Sequence, residues 1–516
     1  MDGPPGAASV RLLLTAEEAF PAFEEAALAA RRRIVAGFRI FDPSTKLRSE
    51  MGRKIGADWF DLLVHVLRRG VAVDLLLTDF DPIIMPDMHR QTWSNMRKLY
   101  AAAEIAGPDA RLRVIAGMHP TRAGKLAKIA LWPKVHSELK EVLEGLNAMS
   151  PERRRAAFRD QPGLRRWLEE GEDEKLRIGR RAAPDLFPVT HHQKLAVIDG
   201  ETLYVGGLDL NPRRYDTLDH ERPGRETWHD IQLIRSGPEA AAAEDHLNTL
   251  IEVTEGRCDP PKPDPAFLTT VSACRNNPIL RLSPVPVRSE IREELHSQIG
   301  AASSFVYLET QFFRDKSVAD ALVEAAIRAP ELELLMILPA APEVVAFEGR
   351  KKLDARYGEY LQAHCVRKVQ DAFGDRVYFA APAQRRSAGP GREGHRDRHY
   401  GAPLIYVHAK LCVFDRRAVL VSSANLNGRS LRWDTEAGLM TRDEGFAEHV
   451  LSRAIAHWLP ETPVDMNASL VEQVRTRARQ DAARSPEDRE GFLLPYDLDA
   501  AEDFGRALPI IPDEMV

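Results

Sequence analysis

The stretch THHQKLAVIDGETLYVGGLDL, Thr190 to Leu210, places His192, Lys194 and Asp199 in a run that otherwise reads as core, followed by Gly206 and Gly207. Residues i and i+2 of a strand share a face, so His192 and Lys194 project together. Asp199, at i+7 from the histidine, falls on the other face and reads as a structural anchor. The pattern occurs twice. YVHAKLCVFDRRAVLVSSANLNGRS, Tyr406 to Ser430, carries His408, Lys410 and Asp415. Set from His192 and His408, the two copies align without a gap: Leu195 with Leu411, Val197 with Val413, Asp199 with Asp415 and Val205 with Val421. Gly206-Gly207 falls on Ser422-Ser423, and Asp209 on Asn425. One His-x-Lys arises easily by chance; two with the same downstream aspartate and small pair do not.

The likeness runs upstream, as expected of a duplicated domain. A helix around Phe23 to Arg33 leads into the apolar run RIVAGFRIF, and one around Ser289 to Ile299 leads into SSFVYLETQFF. A helix near Asp58 to Arg69 then precedes VAVDLLL, as one near Ser317 to Arg328 precedes LELLMILP. Alternating helices and strands predict an α/β fold of two similar sandwich halves with mixed sheets, related by a pseudo-two-fold axis. The boundaries expected are a first half over 10–257, a linker over 258–284, a second half over 285–460, and a C-terminal helix and tail over 461–516. The segment from about 82 to 184 reads as a helical insertion in the first half. The Gly- and Arg-rich stretch from Ala381 to Pro403 reads as a mobile loop, whose Arg385 or Arg386 is a candidate to meet an anionic group.

At 516 residues the chain is too long for one ordinary core. Lys plus Arg, 71, against Asp plus Glu, 77, leaves it slightly acidic, which argues against a dedicated nucleic-acid binder. Four cysteines, Cys258, Cys274, Cys365 and Cys412, show no metal-ligand spacing and read as reduced. The N-terminal stretch lacks the pattern of a cleaved signal, and no run approaches a membrane span. The expectation is a cytoplasmic chain, monomeric, with peripheral contact to a membrane; export without a cleaved signal is compatible with it.

Two imidazoles and two ammoniums in one pocket suit a phosphate ester. The lysines neutralise non-bridging oxygens as charge builds. One histidine attacks phosphorus to form a phosphohistidine. The other protonates the departing alcohol, then deprotonates the water or alcohol that follows. The lysines supply the positive charge, so the expectation is no metal and no cofactor. Neither a nucleotide-binding Gly-rich loop nor a zinc signature is present.

With these residues the sequence resembles the phospholipase D superfamily, whose signature is His-x-Lys-x4-Asp followed by a Gly/Ser pair and an Asn. HQKLAVIDGETLYVGGLD and HAKLCVFDRRAVLVSSAN fit it, as do GGLDLNPRRYDT, TWHDIQL, YLETQFF and NLNGRSLRWDTEAGL. The resemblance, closest to the eukaryotic-like lipase branch, implies His192 as nucleophile and His408 as general acid. It implies an acidic residue orienting each histidine: Asp230 for His192 and Glu436 for His408. It implies phosphate contacts from Ser423 and Asn425, and more weakly from Gly207 and Asp209. The implied activity is hydrolysis of a glycerophospholipid at a membrane surface, with water or an alcohol as acceptor. A cardiolipin synthase-like transferase, a nuclease and a non-catalytic lipid-binding scaffold are the alternatives, and no nucleic-acid partner is expected.

Overall fold

The computed structural model describes residues 10–179, 185–275, 283–349, 351–390, 395–461, 463–508 and 511–515. Residues 1–9, the end of the expected insertion (180–184), part of the expected linker (276–282) and part of the Gly- and Arg-rich loop (391–394) lie outside the described residues.

Among the described residues, seven strands form the first sheet, in the order Val10–Leu14, Ile231–Ser236, Thr202–Gly206, Leu195–Ile198, Arg33–Phe38, Ala72–Thr78 and Leu112–Gly117. The second sheet repeats this order with Phe267–Ala273, Glu436–Thr441, Ala418–Ser422, Lys410–Phe414, Phe305–Thr310, Glu333–Ile337 and Val377–Pro382. It gains one strand at each edge, Val285–Ser289 and Leu493–Pro495. Both sheets are mixed: Arg33–Phe38 pairs parallel with Ala72–Thr78 and antiparallel with Leu195–Ile198, and the same holds at Phe305–Thr310. The α/β fold of two similar halves is therefore present strand for strand.

Three boundaries differ from expectation. The insertion is shorter than 82–184, because Leu112–Gly117 completes the first sheet as the counterpart of Val377–Pro382. Its short apolar run does not stand out between two helices. The expected linker contains the buried strand Phe267–Ala273, paired with Glu436–Thr441. The expected tail contains Leu493–Pro495, which pairs with Val377–Pro382, so it is part of the second half. Edge strands of this kind carry weak signals because their partners are remote in sequence.

Alternation along the central strands decides how the halves meet. Leu195, Val197, Leu203, Val205, Ile231 and Leu233 share one buried cluster with Leu411, Val413, Val419, Val421, Ala437 and Leu439. These are the i, i+2 faces of both sheets, so the sheets pack face to face. The opposite faces lie under helices: Ala196, Ile198 and Tyr204 in one cluster, Cys412, Phe414 and Leu420 in another. The helix Trp59–Arg68 shows why such elements form. Asp58 accepts from the Phe60 and Asp61 amides as N-cap, and Trp59, Leu62, Leu63, Val66 and Leu67 make one buried stripe. Asp443 caps Glu444–Trp458 in the same way, by accepting from the Phe446 amide.

Candidate active site between the halves

Each His-x-Lys segment runs directly into a central strand, Leu195–Ile198 or Lys410–Phe414, at the seam of the two sheets. The seam is zipped by matched backbone bonds. The His192 amide donates to Thr435 O at 2.9 Å and the His408 amide to His229 O at 2.7 Å. The Thr435 amide donates to Thr190 O and the His229 amide to Tyr406 O. Each contact has its symmetry mate, as an isologous interface requires.

The zipper sets the acid partners crosswise. His192 Nδ1 lies 3.0 Å from Glu436 Oε2, and His408 Nδ1 lies 2.6 Å from Asp230 Oδ2. This corrects the expected pairing of Asp230 with His192 and Glu436 with His408. Within one half the acid's strand and the histidine's strand are separated by the Thr202–Gly206 strand or its mate Ala418–Ser422. Two inter-strand steps amount to about 9.6 Å, beyond hydrogen-bond reach. The facing half brings a carboxyl group within reach.

The two centres also share one electrostatic environment. Burial, then the charges of Lys194 and Arg39, hold the His192 imidazole well below its usual range. Burial, then Lys410 and Lys194, do the same to His408. Burial lifts the Glu436 carboxyl to about 8 against the pull of Lys194, and that of Asp230 to about 6 against Lys410. Burial drives Lys410 down to about 7 and lowers Lys194 as well. Burial this deep favours the neutral form of both imidazoles. With its acid partner ionised, a neutral imidazole donates from Nδ1 to it and leaves a lone pair on Nε2. Lys194 Nζ donates to His192 O at 2.5 Å, and Lys410 Nζ to His408 O, which ties each ammonium to its own histidine.

Comparison with known proteins places the chain among its relatives. The family described as "Cardiolipin synthase, PLD-like domain" matches residues 295–458. Phospholipase D1 of Schizosaccharomyces pombe is 26% identical over 49% of this chain and 25% of its own length. Cardiolipin synthase A of Pseudomonas aeruginosa is 24% identical over 53% of this chain and 48% of its own. The chain belongs to the phospholipase D superfamily. It spans about half or less of the length of these curated relatives. Phosphatidylserine synthase of Haemophilus influenzae Rd KW20, a solved structure, aligns over 87% of this chain and 85% of that one, with TM-score 0.49 and 12% identity.

In this phospholipase D superfamily member the remaining expected residues divide into those at the centre and those outside it. Asp199 and Asp415, grouped with the catalytic residues by the signature, do not join the histidines. Asp199 accepts from the amides of Arg31, Arg32 and Arg33, and Asp415 from those of Ser303, Ser304 and Phe305. Each sits in a turn at positive φ, 56° and 48°, and anchors the start of the adjacent central strand. Ser423 donates its hydroxyl to Glu436, so it orients the acid. Gly207, its mate, leaves room for Asp230: a Cβ there would lie 2.1 Å from Asp230 Oδ1. Asp209 is buried and accepts from the Ile40 amide. Asn425 is buried with its Oδ1 unpartnered. Arg385 does meet an anionic group, Glu461 at 3.0 Å, on the protein itself.

Other residues at this centre escaped the sequence reading. Trp228 packs its ring 4.5 Å from that of His408 and donates Nε1 to Asp230 Oδ2 at 3.3 Å. The Arg214 guanidinium lies 3.5 Å over Trp228. Arg39 and Arg429 both act on His192 through their charge. Arg214 and Arg429 stand in the quoted flanking motifs, but a single charged residue in a loop carries no spacing signal. No helix among the described residues is long and apolar enough to cross a membrane.

Proposed function

We propose that the chain is a phospholipase D-type phosphodiesterase acting on glycerophospholipids. The observation that carries this reading is the crosswise pair His192–Glu436 and His408–Asp230, with two lysines in one buried seam. His192 Nε2 attacks phosphorus. The bond from phosphorus to the head-group oxygen breaks, and protonated His408 gives that oxygen its proton. The product is a phosphatidyl group on His192 and a free alcohol. His408 then takes a proton from water, the water oxygen attacks phosphorus, and the N–P bond breaks to release phosphatidate. Lys194 and Lys410 neutralise the non-bridging oxygens, and Asn425 donates to one of them. An alcohol in place of water gives a phosphatidyl alcohol.

A second reading, phosphatidyl transfer between lipids as in a cardiolipin synthase, is supported by the family description and by the relatives of that name. Mixed phospholipid vesicles incubated with the protein and a primary alcohol, analysed by mass spectrometry beside His192→Ala, separate the two. Phosphatidate and phosphatidyl alcohol, absent with the variant, support the hydrolase. A product carrying two phosphatidyl groups, without phosphatidate, favours the transferase. Unchanged lipids count against both.

A further inference from the structure

We propose that His220, His229 and His457 form a site for one divalent transition-metal ion of the zinc class, separate from the phosphate-binding centre. One ligand nitrogen from each of the three lies within 4.8 Å of the others. His220 and His229 come from the first half, and His457 from the last turn of the helix Glu444–Trp458 in the second. His220 Nε2 and His457 Nε2 are already 3.1 Å apart. Tetrahedral zinc with imidazole ligands needs ligand nitrogens about 3.3 Å apart, so small side-chain rotations close the set.

The surrounding carboxylates prepare two of the rings for a metal. Asp216 Oδ2 holds His220 Nδ1 at 2.7 Å, and Glu309 Oε2 holds His229 Nε2 at 2.7 Å. Each carboxylate keeps the proton on the nitrogen it touches and leaves a lone pair on the other, the usual outer partner of a metal-bound histidine. Glu309 is itself fixed by the Tyr307 hydroxyl and by Trp458 Nε1. A metal-free network accounts for only part of this: His457 Nε2 can donate to His220 Nε2. His229 Nδ1 is then left fully buried without a hydrogen-bond partner, which native interiors avoid. A cation between the three rings satisfies it. His457 is half-buried, so water can complete the coordination from its side.

The site would staple the halves beside the catalytic seam. His229 stands between Trp228 and Asp230, which hold the ring of His408, and its carbonyl accepts from the His408 amide. The role assigned is therefore structural, positioning His408.

The test is metal binding by the full chain after its metal has been stripped and its folding checked by circular dichroism. Calorimetric titration with Zn2+ is expected to give one ion per chain and a higher Tm. Co2+ is expected to give the intense visible bands of a tetrahedral site. His457→Ala, at a partly buried helix end, should keep the fold and lose about 100-fold in Zn2+ affinity. Glu309→Gln should lose about 10–100-fold, as for other outer-partner changes. Folded wild-type chain that binds neither ion would overturn the proposal. So would Zn2+ binding unchanged in His457→Ala, or abolished by His192→Ala, since either places the metal elsewhere.

Discussion

His192 and Glu436 lie 244 residues apart in the chain and 3.0 Å apart in space, one from each half. The carboxyl group that meets each histidine is supplied by the opposite half.

This arrangement separates the two acids functionally. Asp230→Asn should weaken His408 as proton donor, and Glu436→Gln should weaken His192 as nucleophile, each by about 100-fold or more on lipid. A phosphodiester with a p-nitrophenol leaving group needs no proton donor. With it, Asp230→Asn should keep a rapid burst of p-nitrophenolate and Glu436→Gln should lose it. The reverse result in stopped-flow measurements would exchange the roles of the histidines.

Gly207 faces Asp230 where its mate Ser423 hydrogen-bonds Glu436. Making the halves alike here, by Gly207→Ser, drives a Cβ into Asp230 Oδ1. A stability loss of about 1–3 kcal/mol is expected from such overpacking. The kcat should fall as far as in Asp230→Asn, because the displaced carboxylate no longer holds His408. Unfolding by denaturant and steady-state kinetics read the two effects; a fully active variant would refute the contact.

Asp199→Ala strands three backbone amides and should cost stability, with kcat per folded molecule close to wild type. Burial alone would raise the Asp199 carboxyl, but the amides of Arg33, Arg31 and Arg32 outweigh it and leave it below the usual value. With the folded value depressed, this contribution is present above the unfolded value of about 3.9 and is lost as pH falls through the folded one. Wild-type and variant stability should therefore converge in acid. A selective loss of turnover without loss of stability would return Asp199 to the chemistry.

Anion binding should take up protons. Lys410 stands at about 7 and the two imidazoles lower still, so at pH 8 all three are largely uncharged. A phosphate or vanadate anion favours their charged forms and raises all three values. Calorimetry at pH 8 in buffers of different ionisation heat should show net uptake of about one proton or more per anion bound. Proton release, or none, would show that the pocket is already charged.

Much of the design is legible in the residues alone. The gapless match of His192, Lys194 and Asp199 to His408, Lys410 and Asp415 announces the duplication. The Asp58-capped helix and the alternating central strands follow from local pattern. Strands such as Leu112–Gly117, Phe267–Ala273 and Leu493–Pro495 do not, because each is short and finds its partner far along the chain.

The sequence by itself determined the repeat, the α/β alternation and the two His-x-Lys-x4-Asp segments, since all three are written in local spacing. Only the tertiary structure decided that Glu436 serves His192 and Asp230 serves His408, and that His220, His229 and His457 converge. Strand spacing puts a half's own acid out of reach, and face-to-face packing of the two sheets brings in the other's. That packing depends on side chains throughout both halves, and no single stretch of the chain encodes it.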